Sequence, residues 1–297
     1  MGWLSKRFRA LRAFSFPVSV LPVFVAVAAV RSPSQWQWDI LILSGLGAAL
    51  LHAAGNLLND YFDFRSGVDT DREEDADRPG RVLPRGELSS SEVLAEGALC
   101  LLLVLPIGLY LLWRCGPGLL IFAGIAAVGL YFYTGPPLKL KYRALGEPLV
   151  FLVFGPTLML GAAYAQTGAF ELTALLLSIP VGLATTSILT ANNLRDQDED
   201  RLGGITTLVQ VIGIRALSWF YIVLVAGSVF TLAVLGMAGI GPVWLIFAPL
   251  LLVFLVKPLS CVWRRERLAD IDARTAKFET VLLVFLLVSF ILQNTIN

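Results

Sequence analysis

Long apolar runs alternate with short polar stretches along the whole chain. The runs cover residues 14–30, 40–58, 94–113, 118–133, 148–165, 172–192, 216–235, 242–259 and 279–296. Roughly 20 mostly apolar residues carry a helix across the hydrocarbon layer of a bilayer. The pattern therefore predicts an all-α protein, a polytopic membrane bundle of nine transmembrane helices. Residues 1–297 form a single integral-membrane domain on this reading. Pro106, Pro156, Pro180 and Pro249 fall inside these runs. Kinks of this kind are tolerated in a bundle, where neighbouring helices and water re-satisfy freed backbone groups. The basic stretch Met1–Arg12 before the first run has the outline of a signal peptide. The run behind it is too long for one and lacks a small-residue cleavage site, so the first span is expected to be retained.

Composition agrees with lipid as the main solvent. Apolar residues make up 57% of the 297, charged residues only 15%, and mean hydropathy is +0.75. Soluble domains hold about 45–50% apolar and about 25% charged residues. The balance excludes a disordered chain, a nucleic-acid-binding arm and a disulfide scaffold. The expected partner is the lipid bilayer, with no nucleic acid. Cys100, Cys115 and Cys261 match no zinc or disulfide spacing. A net charge of +1 is uninformative until the basic residues are sorted by side. Of the 23, all but Arg31 and Arg114 fall on the side of the N-terminus when nine spans are threaded. The positive-inside rule then places that side in the cytoplasm and the C-terminus outside.

The same side carries two polar segments, 59–93 and 193–215, and each opens on one motif. Asn59 and Asp63 form N-x-x-x-D at the end of the second span; Asn192 and Asp196 repeat it at the end of the sixth. The offset is 133 residues for both positions. The repeat predicts two four-helix halves followed by one further helix. On a helical projection His52, Asn56, Asn59, Asp60 and Asp63 fall within an arc of about 100°. Asn192, Asp196, Glu199 and Asp200 share a face if the sixth helix continues, with Thr185 and Leu189 on the same side further down. Polar residues at membrane depth normally face the bundle interior.

Two clusters of carboxylates at one mouth repel each other, so the pattern calls for a cation. Oxygen donors without His or Cys suit a hard ion such as Mg²⁺, which binds through one or two carboxylates plus substrate phosphates. The spacing thus predicts a phosphate-bearing substrate between the motifs. Arg65, Lys139, Lys141, Arg143, Arg195 and Arg201 are candidate phosphate contacts. The run Glu73, Glu74, Asp75 and Asp77 has no helical face and is taken as a solvated loop, and His52 as a packed polar side chain. A cation-coupled transporter is the competing class. Its ion site would lie near the membrane midplane, whereas these acids sit at the mouth.

These residues resemble the UbiA-type intramembrane prenyltransferases, which pair an N-x-x-x-D motif and a further Asp with a D-x-x-x-D motif. The matching positions are Asn59, Asp63 and Asp69, then Asp196 and Asp200. The stretches Asn59–Asp69, Tyr133–Gly146, Phe154–Gly168 and Asn192–Arg201 are most similar to the menaquinone branch, the dihydroxynaphthoate prenyltransferases. Gly67 stands where ubiquinone-type members carry the third acid, so Asp69 serves here. Ile205 replaces a basic residue of many members, which throws weight onto Lys141 and Arg201. The resemblance implies Mg²⁺ held by Asn59, Asp63, Asp69, Asp196 and Asp200, of which the four acids are the catalytic set. It implies a polyprenyl diphosphate and a small aromatic acceptor held by Asn56, Asn59, Arg65, Tyr133, Lys139, Lys141, Arg143, Asn192, Arg195 and Arg201. Tyr61, Phe62, Tyr131, Phe132 and Tyr133 are candidates to face an allylic cation. The expected location is a bacterial or archaeal cell membrane, with the active-site mouth in the cytoplasm.

Overall fold

The computed structural model describes residues 3–68, 82–264, 266 and 268–296. Asp69 and the acidic run 73–77 lie outside the described residues. Everything described is helix, turn or connecting segment apart from one isolated bridge between Arg143 and Thr206. A short basic helix α1 (Trp3–Leu11) precedes α2 (Pro17–Val30), α3 (Trp38–Arg65), α4 (Ser90–Cys115) and α5 (Leu119–Thr134). Then follow α6 (Gly146–Thr167), α7 (Leu172–Leu202), α8 (Leu208–Met237), α9 (Val243–Arg264) and α10 (Ile271–Ile296).

All nine expected apolar runs lie in helices. Among the described residues eight are long and apolar enough to cross a membrane; α5 is apolar but only 16 residues long. Its rise of roughly 24 Å falls a few ångströms short of a typical hydrocarbon layer. The two motif helices end later than the hydropathy pattern suggests, for one reason. Both α3 and α7 run on past their apolar stretch, to Arg65 and Leu202, so each acidic motif is helical rather than part of a loop. At the start of α8 the chain breaks at Gly213, where φ is 79°. Only glycine adopts that conformation without strain, and the apolar run begins just beyond it.

Helix α3 packs extensively along α4, and α7 along α8. These occupy equivalent places four helices apart, as the 133-residue repeat requires. The main apolar core joins α2, α6, α7, α8, α9 and α10 through Leu177, Tyr221, Leu232, Leu245, Phe278 and Leu282. A smaller one joins α1, α3 and α4 through Ala10, Ala54, Leu57 and Val93. Polar ties fix the lateral order. The Thr185 hydroxyl on α7 donates to the buried Glu279 carboxyl on α10. The Asn193 amide donates to Glu147 on α6 at 2.7 Å. At the opposite end Gln37 and Gln166 exchange backbone and side-chain hydrogen bonds at 3.0–3.1 Å. Such bonds hold fewer alternative registers than apolar contact alone, since lipid offers no substitute partner.

Helix α6 is irregular. A π-turn at Val153–Thr157 surrounds Pro156, whose missing N–H removes one ladder bond. Here α6 meets α7 backbone to backbone. A Cβ on Gly155 would come within 2.7 Å of the Ser178 carbonyl oxygen and 3.0 Å of Gly182. Small residues permit this approach, as in many membrane helix pairs. Gly155→Val is expected to cost about 1–3 kcal/mol by overpacking, read as a lower thermal midpoint of the detergent-solubilised protein. Gly124→Val, at a glycine with nothing within 4 Å of an added Cβ, is the control and leaves the midpoint near the wild-type value.

Candidate active site at the mouth of the bundle

Between the two halves lies a cavity of about 1010 Å³. That is the upper end of the range for small-molecule sites. Its walls have two characters. One is apolar and comes from α4, α5 and α6 (Ile107, Leu111, Phe122, Ala126, Leu130 and Leu158 among others). The other is polar and comes from the two motif helices and the segment before α2. His52, Asn56, Asn59 and Asp63 line it from α3; Thr185, Leu189, Asn192, Asp196, Glu199 and Asp200 line it from α7. Each face expected from the helical projection is thus turned into one shared space. Asp60 is the exception, buried to 1% exposure and ion-paired with Arg12 at 2.6 Å.

Each motif carries its own cation. Lys141, in the connection between α5 and α6, places Nζ 2.6 Å from Asp63 Oδ2, and the Tyr142 hydroxyl donates to Oδ1 of the same carboxylate. Burial disfavours the Lys141 ammonium, but the Asp63 carboxylate outweighs this and holds its pKa above the ordinary lysine range. Burial, reinforced by the Asp63 charge, raises the Tyr142 phenol. Across the cavity Arg195 grips Asp196 with two bonds of 2.7 and 2.8 Å and also pairs with Asp272 at the start of α10. Asp200 is buried and accepts from the Thr207 hydroxyl, at the N-cap of α8, at 3.0 Å. The two arrangements are joined. The Ala144 amide donates to the Thr206 carbonyl at 2.9 Å, so the connection that delivers Lys141 is bonded to the one that delivers Thr207.

Two polar atoms in this frame have no partner. The side-chain oxygens of Asn59 and Asn192 are shielded from solvent and accept no hydrogen bond. They sit at equivalent repeat positions, and both residues line the cavity. A buried acceptor left unpaired costs roughly 1–3 kcal/mol, so each oxygen is suited to serve as a donor to a cation. Among the described residues no three His, Cys, Asp or Glu side chains cluster tightly enough to form a metal site by themselves. A cation would have to draw on the asparagine oxygens and on a bound phosphate as well.

The expected site residues divide. Asn56, Asn59, Asp63, Tyr133, Lys141, Asn192, Arg195, Asp196 and Asp200 come together around the cavity. Four basic residues do not reach it. Arg65 lies at the exposed end of α3, 5.9 Å above the Tyr61 ring. Lys139 stands 5.6 Å over Tyr142. Arg143 is exposed and donates to the Pro137 carbonyl at 3.4 Å, and Arg201 is exposed beyond the motif face. Of the aromatic candidates only Tyr133 lines the cavity. Tyr61, Phe62, Tyr131 and Phe132 instead form an edge-to-face chain away from it. The rings inside are Phe14, Phe122 and Phe154. The residues missed by sequence are Arg12, Tyr142, Thr207 and Asp272. Only Thr207 had a local signal, as a helix-capping Thr three residues before Gln210.

An all-helical membrane bundle with matched amide and carboxylate motifs facing one cavity defines an intramembrane protein with an oxygen-donor site suited to a hard cation. The comparisons with known proteins sharpen this. The model of the UbiA prenyltransferase family matches residues 19–290. The Xenopus tropicalis protein named UbiA prenyltransferase domain-containing protein 1 is 30% identical over 286 residues, covering 95% of this chain and 81% of that protein. The mouse and human proteins of that name are matched over 60% of their length. A solved UbiA homologue from Archaeoglobus fulgidus, bound to GPP and Mg²⁺, superposes with a TM-score of 0.67 at 16% identity, over 96% of this chain and 99% of its own. A digeranylgeranylglyceryl phosphate synthase structure gives 0.64 at 20% identity, over 99% of both. The chain belongs to the UbiA prenyltransferase family.

The ion pair at Asp63 generates a prediction. Lys141→Met leaves a buried carboxylate with the Tyr142 hydroxyl alone, and should destabilise the protein by up to about 3 kcal/mol. Asp63→Asn combined with Lys141→Met should recover much of that loss. A double-mutant cycle on thermal midpoints measures the coupling; additive single effects would show the pair to be inconsequential.

Proposed function

We propose that this chain transfers a polyprenyl group from polyprenyl diphosphate to a small aromatic acceptor, in the presence of Mg²⁺. The acceptor favoured is dihydroxynaphthoate, giving demethylmenaquinol with loss of the carboxyl group as CO₂. The observation that carries the reading is the pair of unpartnered Asn59 and Asn192 oxygens facing one cavity beside Asp63, Asp196 and Asp200. Asn59, Asp63, Asp196 and Asp200 are the residues that would hold the metal, with Asp69 from the segment outside the described residues. A hard cation there supplies Lewis-acid and electrostatic stabilisation of the leaving pyrophosphate. The chain's own groups do the rest. Lys141 and Arg195 present positive charge to phosphate oxygens where negative charge grows as the C–O bond breaks. The apolar wall along α4 to α6 holds the prenyl tail out of water. Tyr133, inside the cavity, offers a ring face to an allylic cation. The menaquinone branch is supported by the stretches Asn59–Asp69 and Tyr133–Gly146, and the cytoplasmic mouth by the uneven distribution of basic residues.

The test is direct. Purified protein in nanodiscs is incubated with Mg²⁺, a polyprenyl diphosphate and a panel of acceptors: dihydroxynaphthoate, hydroxybenzoate, homogentisate and a glycerol-phosphate lipid. Mass spectrometry should show a prenylated, decarboxylated naphthol product that disappears on chelation. Asp63→Asn and Asp196→Asn should each lower the rate roughly 100-fold or more. Transfer to another panel member reassigns the acceptor. Product from none, or full activity in both variants, overturns the reading.

A further inference from the structure

The polar wall holds a group that neither motif uses. His52, the single histidine of the chain, lines the cavity on α3. It lies seven residues before Asn59, about 10 Å along the helix axis and on nearly the same face. Its two ring nitrogens meet two hydroxyls: Nδ1 is 3.0 Å from Ser19 Oγ, and Nε2 is 3.3 Å from Ser15 Oγ. Both serines also line the cavity. Phe16 and Phe154 flank the imidazole, with ring centroids at 5.9 and 5.4 Å.

Each hydroxyl has one proton and accepts through its lone pairs. Ser15 Oγ lies 2.8 Å from the Arg12 carbonyl and Ser19 Oγ 3.1 Å from the Phe16 carbonyl. With both protons turned to the carbonyls, the serine oxygens face both ring nitrogens as acceptors; with one turned inward, that hydroxyl donates to the bare nitrogen of the neutral ring. The pair can therefore serve the imidazole before and after it takes up a proton.

We propose that His52, set between Ser15 and Ser19, is the base that takes the ring-hydroxyl proton of the aromatic acceptor during prenyl transfer. The proposal rests on the prenyltransferase reading above. Ten ångströms along α3 accommodates the diphosphate near Asn59 and an aromatic ring beyond it, with Phe154 beside the ring. The hydroxyl proton passes to His52 while the ring carbon bonds to C1 of the prenyl group. The C–O bond to the diphosphate breaks, and its electron pair leaves on oxygen. The substituted ring carbon then loses its carboxylate as CO₂, or its hydrogen as a proton to pyrophosphate. The bonding pair restores the aromatic ring as a phenolate, which takes its proton back from His52. No oxidant or further reactant is needed. The carboxylates of the motifs, engaged with cations, are spared this role.

Base catalysis of this kind contributes roughly 10²–10⁴-fold. The charged group that faces the imidazole is Arg12, itself paired with Asp60; Ser15 and Ser19 on one side and Phe16 and Phe154 on the others are uncharged. The experiment uses the full chain in nanodiscs with geranyl diphosphate, Mg²⁺ and dihydroxynaphthoate. In the wild type kcat/KM for the acceptor should rise with pH along one limb. His52→Gln should lose that limb and at least 100-fold in kcat, yet keep its KM for geranyl diphosphate and the thermal shift that ligand produces. Ser15→Ala keeps the imidazole and should displace the limb, which serves if His52→Gln does not fold. A His52→Gln enzyme within threefold of wild type, or a limb unmoved in Ser15→Ala, overturns the proposal. A wild-type enzyme that transfers to no acceptor overturns the functional reading, and the role of His52 with it.

Discussion

Two acidic helix ends facing each other in a low-dielectric bundle cannot exist without positive charge between or beside them. An isolated buried carboxylate loses several kcal/mol of hydration, and a like charge nearby adds to the cost. The chain meets this constraint with one internal cation for each motif, Lys141 for Asp63 and Arg195 for Asp196. Much of the architecture follows from their placement. The turn between α5 and α6 must fold back under the bundle to deliver Lys141. Helix α7 must continue well past its lipid-compatible length to bring Arg195 and Asp200 to the same level. Helix α10 must start early enough for Asp272 to share Arg195.

The asparagines complete the logic. A carboxylate can be neutralised from within, but an amide oxygen needs a donor or a cation, and Asn59 and Asn192 have neither. The frame balances its charges from within and keeps two amide oxygens for a further partner. That combination would suit a ligand bringing metal and phosphate together, with the carboxylates and amide oxygens available to the metal and Lys141 and Arg195 to phosphate oxygens. The apolar wall opposite fixes where the rest of such a ligand goes.

Hydropathy and helical projection made most of the frame legible. Nine spans, the repeat and the two inward faces all follow from spacing along single helices. Helix ends at the mouth were misjudged because polar residues that face a cavity look, in sequence, like solvated loop. The direction of connecting segments was not legible at all. Arg65, Lys139, Arg143 and Arg201 share the motif neighbourhood with Lys141, but only Lys141 turns inward, and that depends on the fold of residues 135–145. The aromatic stretch Tyr131–Tyr133 shows the same limit. Three consecutive helical residues point in three directions, and only Tyr133 faces the cavity. His52 was readable as part of the polar stripe, but its serine partners come from α2 and the segment before it.

The hydrogen bond between Ala144 and Thr206 has a mechanical consequence. It ties the turn carrying Lys141 to the segment whose next residue caps α8 and holds Asp200. The two halves of the repeat are thereby yoked on the side of the mouth, not only through the packed core. The cation that holds Asp63 and the hydroxyl that holds Asp200 thus hang from one continuous strap of backbone. The spacing between the two carboxylates is set by that strap and not by side-chain rotamers alone.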